Sequence, residues 1–234
     1  MENGFEKKLQ TWLQEVATTC DKYAKEIDLD FYPFQSPLPK NKVNLLIVGI
    51  NPGGYKSYKD MLQTKSEDYG KVIDARTSDM LAYDENMYAV KPQWEIDNKL
   101  KGNDVMRTKL KRVFVAEQLQ NILLNSTVMN MYYFNTQDTA KLGNLSNTIK
   151  EFCITKTVEF IGIVDPKLIL FFTTSNYELS KCGVKNIKSL GNFMKEGILN
   201  GQKVLAMPNP GYYKAYSYDN GKLMGNIIQE YINN

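Results

Sequence analysis

Three asparagines of this 234-residue chain lie at or just after the end of an apolar run, where a predicted strand would end. A primary amide offers one acceptor and two donors in a plane, so it can match the edge of a nucleobase or another amide-like ligand without carrying charge. One asparagine in a turn also has a purely local use, because its side chain can bond its own backbone. The three segments are Gly49-Ile50-Asn51-Pro52-Gly53-Gly54, Asn135-Thr136 and Pro208-Asn209-Pro210-Gly211.

The chain contains no histidine, which excludes a histidine general base, a histidine-anchored catalytic triad and histidine metal ligands. Its three cysteines, Cys20, Cys153 and Cys182, are far apart in the sequence. Without histidine they make a poor zinc site, and we interpret them as buried thiols in a reducing cytoplasm. The sequence therefore predicts neither a metal nor another cofactor.

The apolar patterns predict that strands alternate with helices. Short, mostly apolar runs predict buried strands over residues 43–50, 128–134, 168–173 and 203–207, and the first of these runs is rich in branched side chains. Helical spacing predicts helices over residues 5–26, 107–124, 144–163, 175–182 and 221–232, with residues 187–199 irregular or forming a short extra strand. This order predicts a three-layer αβα fold of the α/β class, in which helices cover both faces of a four-stranded parallel sheet. The asparagines would lie at the carboxyl ends of its strands, where parallel sheets bind ligands.

The predicted domain organisation has two parts. Residues 1–40 would form an N-terminal helix, with Trp12 in the core or at a docking contact, and a connecting segment packed through its aromatic side chains. Residues 41–234 would form the α/β domain, interrupted by a polar stretch over residues 55–106 in which the sequence marks no element boundaries. No apolar run is long enough for a membrane span, and no signal peptide is recognisable, so we expect a cytoplasmic protein.

The net charge of +3 is too small to indicate nucleic-acid binding on its own, but the basic residues are unevenly distributed. Residues 181–214 hold six lysines against one acid, Glu196, and residues 97–112 hold six basic residues against two aspartates. Each stretch is consistent with a solvated face or with a surface that faces phosphate.

The motif Gly49-Ile50-Asn51-Pro52-Gly53 after a buried strand resembles the first motif of the uracil-DNA glycosylase superfamily. It is most similar to the motif of the mismatch-specific uracil-DNA and thymine-DNA glycosylases. In that branch asparagine takes the place of the acidic residue that other members of the superfamily have in this motif. Asn135 is placed like the asparagine that binds the flipped base in those uracil-DNA glycosylases that have a histidine in the second motif. Asn209-Pro210-Gly211 resembles the second motif. The resemblance covers about residues 43–232 and implies a uracil-DNA glycosylase-like fold.

The resemblance implies that a target base is flipped out of DNA and that its N-glycosidic bond is hydrolysed. Asn51 and Asn209 would be catalytic: Asn51 would orient the attacking water, and Asn209 would donate to a carbonyl of the leaving base. Asn135 would bond the Watson–Crick edge of the base, and Tyr55 or Tyr58 would stack on it. The other implied substrate-binding residues are Gly49, Ile50, Pro52, Gly53, Gly54, Pro210 and Gly211, and the implied DNA contacts are Tyr212, Tyr213 and Lys214.

The implied partner is DNA that contains uracil or a mismatch. We expect the protein to act as a monomer and to have no membrane partner. Two alternatives stay open. Gly211 replaces the serine expected to contact phosphate, which also fits a catalytically weak or inactive superfamily member that binds nucleic acid or a modified base. The other alternative is a different α/β enzyme for a nucleotide or small molecule, although the chain has neither a P-loop nor a GxGxxG fingerprint.

The missing histidine leads to a test in solution. If the chain releases a base from DNA, the reaction should be slow and should not follow an ionisation near the histidine pKa of about 6.5. The single-turnover rate of base release, measured at pH values on both sides of that pKa, checks the prediction. A rate that follows such an ionisation would have to depend on another group.

Overall fold

The structure is a computed structural model that describes residues 4–53, 57–63, 105–136 and 139–233. These residues form seven α-helices and six β-strands, with 3-10 turns at Thr139–Asn144 and Tyr213–Ala215. In chain order the elements are α1 (Gly4–Ile27), β1 (Leu45–Gly49), α2 (Tyr58–Gln63), α3 (Val105–Val113), α4 (Glu117–Leu124), β2 (Thr127–Asn130), α5 (Asn147–Val164), β3 (Leu168–Phe171), α6 (Asn176–Lys181), β4 (Lys185–Gly191), β5 (Met194–Leu199), β6 (Gln202–Ala206) and α7 (Tyr218–Asn233).

The six strands form a mixed sheet in the order β2-β1-β3-β6-β5-β4. Strands β3 and β6 pair in parallel, with Leu170 opposite Leu205, whereas β5 is antiparallel to both β6 and β4. The predicted α/β class is confirmed, and the four predicted strands correspond to β1, β2, β3 and β6. The sheet is not the four-stranded parallel one that the sequence predicts, because residues 185–199 add an antiparallel hairpin.

The β4–β5 hairpin turns at Asn192 and Phe193, whose φ angles are both positive, at 48° and 64°. Turns with two such residues match the twist of antiparallel strands. The side chains of β4 are mostly exposed, so this strand lacks the apolar run by which a buried strand is recognised in a sequence. Its lysines and the irregularity between Lys185 and Lys188 are typical of an edge strand protected against pairing with another chain.

The chain divides into two compact units. Unit 1 comprises the described residues within 1–42, 48–84 and 127–165, and unit 2 comprises those within 43–47, 85–126 and 166–234. Unit 1 holds α1, α2, β2 and α5, unit 2 holds α3, α4, α6, α7 and β3 to β6, and β1 contributes residues to both. None of the helices in the described ranges has the length and apolar content needed to cross a membrane.

Trp12 lies in the core of unit 1 and is 1% exposed. Its ring packs against Phe34, Tyr133 and Phe160, with centroid distances between 5.0 and 6.4 Å. Its indole N–H donates to the carbonyl oxygen of Lys156 at 2.9 Å, so the one polar atom of the ring is satisfied inside the core. These contacts hold α1 against α5 and confirm Trp12 as a core residue.

The connecting segment, residues 30–36, runs antiparallel beside β2 and the residues after it. The backbone N–H of Tyr32 donates to the carbonyl oxygen of Tyr133 at 2.7 Å, and two antiparallel bridges extend the pairing. Phe31 and Phe34 are buried, which confirms that the segment packs through its aromatic side chains. The segment therefore covers a strand edge that would otherwise expose backbone donors and acceptors.

Two helices, α3 and α4, replace the single helix predicted over residues 107–124. The chain leaves the helical conformation at residues 114–116, where Ala116 is extended, with φ −67° and ψ 141°. Buried positions continue across the break, from Leu110 to Leu119. The apolar spacing therefore conceals the break, and this is why the sequence predicts one helix.

Helices α3 and α7 of unit 2 approach each other closely at two glycines, one turn apart on α7. A Cβ atom at Gly221 would lie 2.6 Å from the carbonyl oxygen of Arg112, and one at Gly225 would overlap the carbonyl oxygen of Val113. Since only glycine lacks a Cβ atom, these two positions permit the close approach. They thereby fix where the end of α3 lies within unit 2.

The three cysteines are buried thiols outside any disulfide, as the sequence predicts. Burial raises the pKa of Cys153 and of Cys182 to about 12. Burial, followed by the proximity of Cys153, also raises the pKa of Cys20. The reactive form of a thiol is the thiolate, so all three are poor nucleophiles in the folded chain.

The glycine contact between α3 and α7 predicts a loss of stability on substitution. We expect Gly225→Ala to lower the free energy of unfolding by about 1–3 kcal/mol, because the added methyl group must push the helices apart. Gly162→Ala is the matched control, since the Cβ position of Gly162 on α5 has no atom within 4 Å. Alanine there should raise the free energy of unfolding, by up to about 1 kcal/mol. Urea unfolding of both variants measures this, and shifts of the same sign would contradict the prediction.

The buried ammonium of Lys156 predicts a loss of stability at alkaline pH. Lys156 is 7% exposed and lies 2.6 Å from a carboxylate oxygen of Glu15 and 2.7 Å from one of Glu159. Burial opposes the charge, but the hydrogen bonds to both carboxylates outweigh it and raise the pKa of Lys156 above its ordinary 10.5. The stabilisation is therefore fully present below that ordinary pKa and is lost as the pH rises through the higher folded-state value.

We accordingly expect the difference in free energy of unfolding between the wild type and Lys156→Met to be constant between about pH 7 and 9 and to shrink at more alkaline pH. Denaturant unfolding of the two proteins across this range measures the difference. A difference that stays constant through the whole alkaline range would show that the Lys156 charge does not contribute.

Candidate functional site

Asn51 follows β1 in unit 1 and contacts the chain that follows β2. Its side-chain Nδ2 donates to Oγ1 of Thr136 at 2.9 Å and to the carbonyl oxygen of Pro52 at 3.1 Å. The carbonyl oxygen of Gly49 accepts the backbone N–H of Met131 at 2.8 Å and so joins the same two segments. Both of these hydrogen bonds are donated by Nδ2, and they fix the orientation of the Asn51 amide. Its Oδ1 has no partner among the described residues.

Asn135, next to Thr136, is 5% exposed. Its backbone N–H donates to the carbonyl oxygen of Asp30 at 2.9 Å. Its side-chain Oδ1 is buried and has no hydrogen-bond partner in the described part of the chain. Leaving a buried acceptor unsatisfied costs about 1–3 kcal/mol, so an atom in this state is a candidate contact for a ligand that carries a hydrogen-bond donor.

Sequence reasoning missed two residues that support this pair of asparagines. Thr136 orients the Asn51 amide, and the fully buried Asp30 holds the backbone of Asn135. The Asp30 carboxylate accepts the backbone N–H of Phe31 at 3.0 Å and the hydroxyl of Tyr32 at 2.7 Å. No local signal identifies Asp30, since an aspartate before an aromatic segment is ordinary in a connecting stretch.

The remaining predicted residues around the first motif differ in their surroundings. Gly49 and Pro52 are buried, Ile50 is half-buried and Gly53 is exposed. A Cβ atom at Gly49 would lie 3.1 Å from Oδ1 of Asn130, so glycine allows that side chain to approach β1. Gly54 and Tyr55 lie outside the described residues.

The structure places Tyr58 in the core of unit 1, not at an open surface. It is 3% exposed, and its hydroxyl donates to the Asp21 carboxylate at 2.8 Å. Its ring is therefore engaged in packing at the start of α2. Of the two tyrosines predicted to stack on a base, stacking stays a prediction for Tyr55.

Asn209 lies in unit 2, in the loop of residues 208–216 that follows β6. Its side-chain Oδ1 accepts the backbone N–H of Gly211 at 2.7 Å, and its carbonyl oxygen accepts the backbone N–H of Tyr212 at 2.7 Å. This is the local use of an asparagine in a turn. The bond from the Gly211 N–H also fixes the orientation of the Asn209 amide. Its Oδ1 is engaged, and its Nδ2 has no partner among the described residues.

Two basic side chains of α3 reach this loop, and sequence reasoning missed both. Lys109 is 3% exposed, and its Nζ donates to the carbonyl oxygen of Gly211 at 3.3 Å. Burial, followed by the charge of Arg112, lowers the pKa of Lys109. Arg112 donates to the carbonyl oxygen of Tyr216, and its guanidinium lies 4.6 Å from the ring centre of Tyr218.

Tyr216 anchors the same loop from within. It is fully buried, and its hydroxyl donates to the carbonyl oxygen of Pro208. Burial raises the pKa of this phenol, so it remains a donor at neutral pH. The predicted DNA contacts lie further out, with Tyr212 52% exposed and Lys214 also exposed. Tyr213 begins a 3-10 turn, and its side chain lies outside the described part.

The lysine-rich stretch after α6 is largely engaged in local contacts. Lys188 pairs with Glu196 at 2.6 Å, and the ammonium of Lys195 lies 2.6 Å from the carbonyl oxygen of Thr174. Lys181 lies 4.3 Å from the ring centre of Tyr177. These contacts fit a solvated face for much of the stretch, and its interpretation as a phosphate-facing surface stays a prediction.

A cavity of about 700 Å³ lies elsewhere in unit 2. Its lining includes Asn44, just before β1, Lys167, just before β3, and side chains of α4 and α7. It therefore lies at the amino ends of these strands, whereas ligands of parallel sheets bind at the carboxyl ends. The described residues contain no group of three or more His, Cys, Asp or Glu side chains placed to hold a metal ion.

No protein-family model matches this chain, and no curated protein matches it. The functional argument therefore depends on the residues themselves. Within unit 1 the structure brings Asn51 together with Thr136, the neighbour of Asn135. Within unit 2 it brings Asn209 together with Gly211 and Lys109. Convergence of the three asparagines on one ligand stays a prediction.

Proposed function

We propose that this chain is a DNA glycosylase-like protein that flips uracil or a related base out of DNA and hydrolyses its N-glycosidic bond. Two kinds of support combine: the resemblance of its Asn-Pro-Gly motifs to the uracil-DNA glycosylase superfamily, and the orientation of three amide side chains. The buried, unpartnered Oδ1 of Asn135 is the observation that carries the proposal.

The unpartnered atom of Asn135 restricts the ligand to one that presents a donor. Oδ1 can accept but not donate, so it would be satisfied by an N–H group on the edge of a base. The imide N–H of uracil or thymine is such a donor. A ligand that offered only acceptors would leave the buried oxygen unsatisfied and would be disfavoured by about 1–3 kcal/mol.

The orientation of Asn51 supports its assigned role with water. Nδ2 is used by Thr136 and Pro52, so the amide presents Oδ1, which can accept a hydrogen from a water molecule. An amide is not an effective proton acceptor, so the assigned contribution is to position the water and not to act as a general base. Slow hydrolysis is expected from such a site.

The orientation of Asn209 supports the complementary role. Its Oδ1 is used by the Gly211 backbone, so the amide presents Nδ2, a donor. Cleavage of the N-glycosidic bond develops negative charge on the leaving base, and a donor at a base carbonyl stabilises that charge. The proposal assigns this donation to Asn209, with the exposed Tyr212 and Lys214 contacting the DNA.

The second candidate is a superfamily member that binds a base in nucleic acid without cleaving it. The observation that favours it is the exposed Gly211, which has no side chain where a serine would contact phosphate. Such a protein would use Asn135 in the same way. It would differ in leaving the N-glycosidic bond intact.

Asn51→Ala should lower the single-turnover rate of base release by on the order of 10²-fold with little change in DNA affinity, because only the water loses its position. Asn135→Ala should lower the rate by about 10- to 100-fold through loss of the base contact. Chromatography of free base released from oligonucleotides that carry uracil, mismatched thymine or hypoxanthine measures both effects.

Asn121→Ala is the matched control, since Asn121 is an exposed asparagine on α4 and its substitution removes the same amide group. Its rate should equal that of the wild type. An unchanged rate in Asn51→Ala would overturn the role of Asn51. Salt-dependent DNA binding without release of any base would favour the second candidate, and no DNA binding at low salt would contradict both.

A further inference from the structure

Helix α3 directs two cationic side chains at one loop. Lys109 and Arg112 are three residues apart and therefore lie on the same face of the helix. Lys109 donates to the carbonyl oxygen of Gly211, and Arg112 donates to that of Tyr216. The two contacts thus hold both halves of the 208–216 loop that carries Asn209.

Burying Lys109 at 3% exposure beside a second cation is costly, because desolvation and repulsion both disfavour its charge. What a lysine adds is an N–H donor on a long stem, which can reach a loop carbonyl from inside the core. The placement of the charge is therefore understandable if the loop must be held in one conformation.

The bonds inside the loop show which conformation is held. Both backbone polar groups of Gly211 are bonded, since its N–H donates to Asn209 Oδ1 and its carbonyl oxygen accepts from Lys109. Fixing Gly211 therefore fixes the acceptor end of the Asn209 amide. The donor end, Nδ2, is fixed by the same constraint.

We propose that Lys109 and Arg112 are positioning residues that hold the 208–216 loop so that Asn209 presents its Nδ2 donor. Neither side chain is assigned a contact with substrate, and both act through the loop backbone. The consequence for base release rests on the function proposed above, whereas the consequence for the loop itself does not. The two consequences can therefore be measured separately.

Hydrogen exchange at the backbone amides of Gly211 and Tyr212 measures how firmly the loop is held. These amides donate to Oδ1 and to the carbonyl oxygen of Asn209, respectively. Lys109→Met should speed their exchange by about 10- to 100-fold, because a charge-assisted bond to the loop is lost. Lys109→Arg, which keeps a charged donor, should restore much of the protection. Lys222→Met, which removes an exposed lysine from α7, is the control and should leave the exchange unchanged.

The catalytic readout uses the same variants. Lys109→Met should lower the single-turnover rate of base release by about 10- to 100-fold with an unchanged Kd for DNA, because a loop displaced by about 1 Å misplaces the donor. Lys109→Arg should recover part of the rate. A substitution that merely destabilised the fold would reduce the active fraction and would not give this separation of rate from Kd.

Unchanged exchange at Gly211 and Tyr212 in folded Lys109→Met would overturn the inference, whatever the wild type does to DNA. Faster exchange in a protein whose wild type releases no base would support the positioning role and contradict the proposed hydrolysis. If Lys109→Met does not fold, Lys109→Leu carries the same comparison, because it also removes the donor to the Gly211 carbonyl oxygen.

Discussion

The connecting segment, residues 30–36, supplies the backbone hydrogen bonds on which unit 1 depends. Backbone donors and acceptors must be paired when they are buried, and this segment pairs with β2 and the residues after it. The same pairing sets the carbonyl oxygen of Asp30 against the N–H of Asn135. It also brings Phe34 onto Trp12, so α1 and the asparagine after β2 are positioned by one stretch of chain.

The asparagines to which a role is assigned are neutral amides whose orientation is set by their neighbours within each unit. Asn51 is turned by Thr136, and Asn209 is turned by the backbone of Gly211. A carboxylate or an imidazole can change its function by gaining or losing a proton, whereas an amide keeps the same donors and acceptors at every ordinary pH. The chemistry of such a site is therefore governed by geometry, and the residues that fix the geometry matter as much as the amides.

The sequence predicts those features of the fold that depend on neighbours along the chain. Short, mostly apolar runs mark β1, β2, β3 and β6, and the apolar stripe of α1 predicts Trp12 in the core or at a docking contact. The antiparallel hairpin is predicted only as an irregular stretch or one short extra strand, because its exposed first strand lacks such a run. Asp30 and Lys109 are missed for another reason: their roles arise from contacts with Asn135 and Gly211, each more than a hundred residues away. No local pattern encodes a contact of that kind.

The buried thiols allow the opening of each unit to be measured, whatever the function of the protein. Cys20 and Cys153 lie in unit 1, and Cys182 lies in unit 2. A shielded thiol reacts with an alkylating reagent only when the structure around it opens, so each unit contains its own reporter of opening. Equal labelling rates at all three positions would indicate that the units open cooperatively, whereas faster labelling of Cys182 would indicate that unit 2 opens on its own.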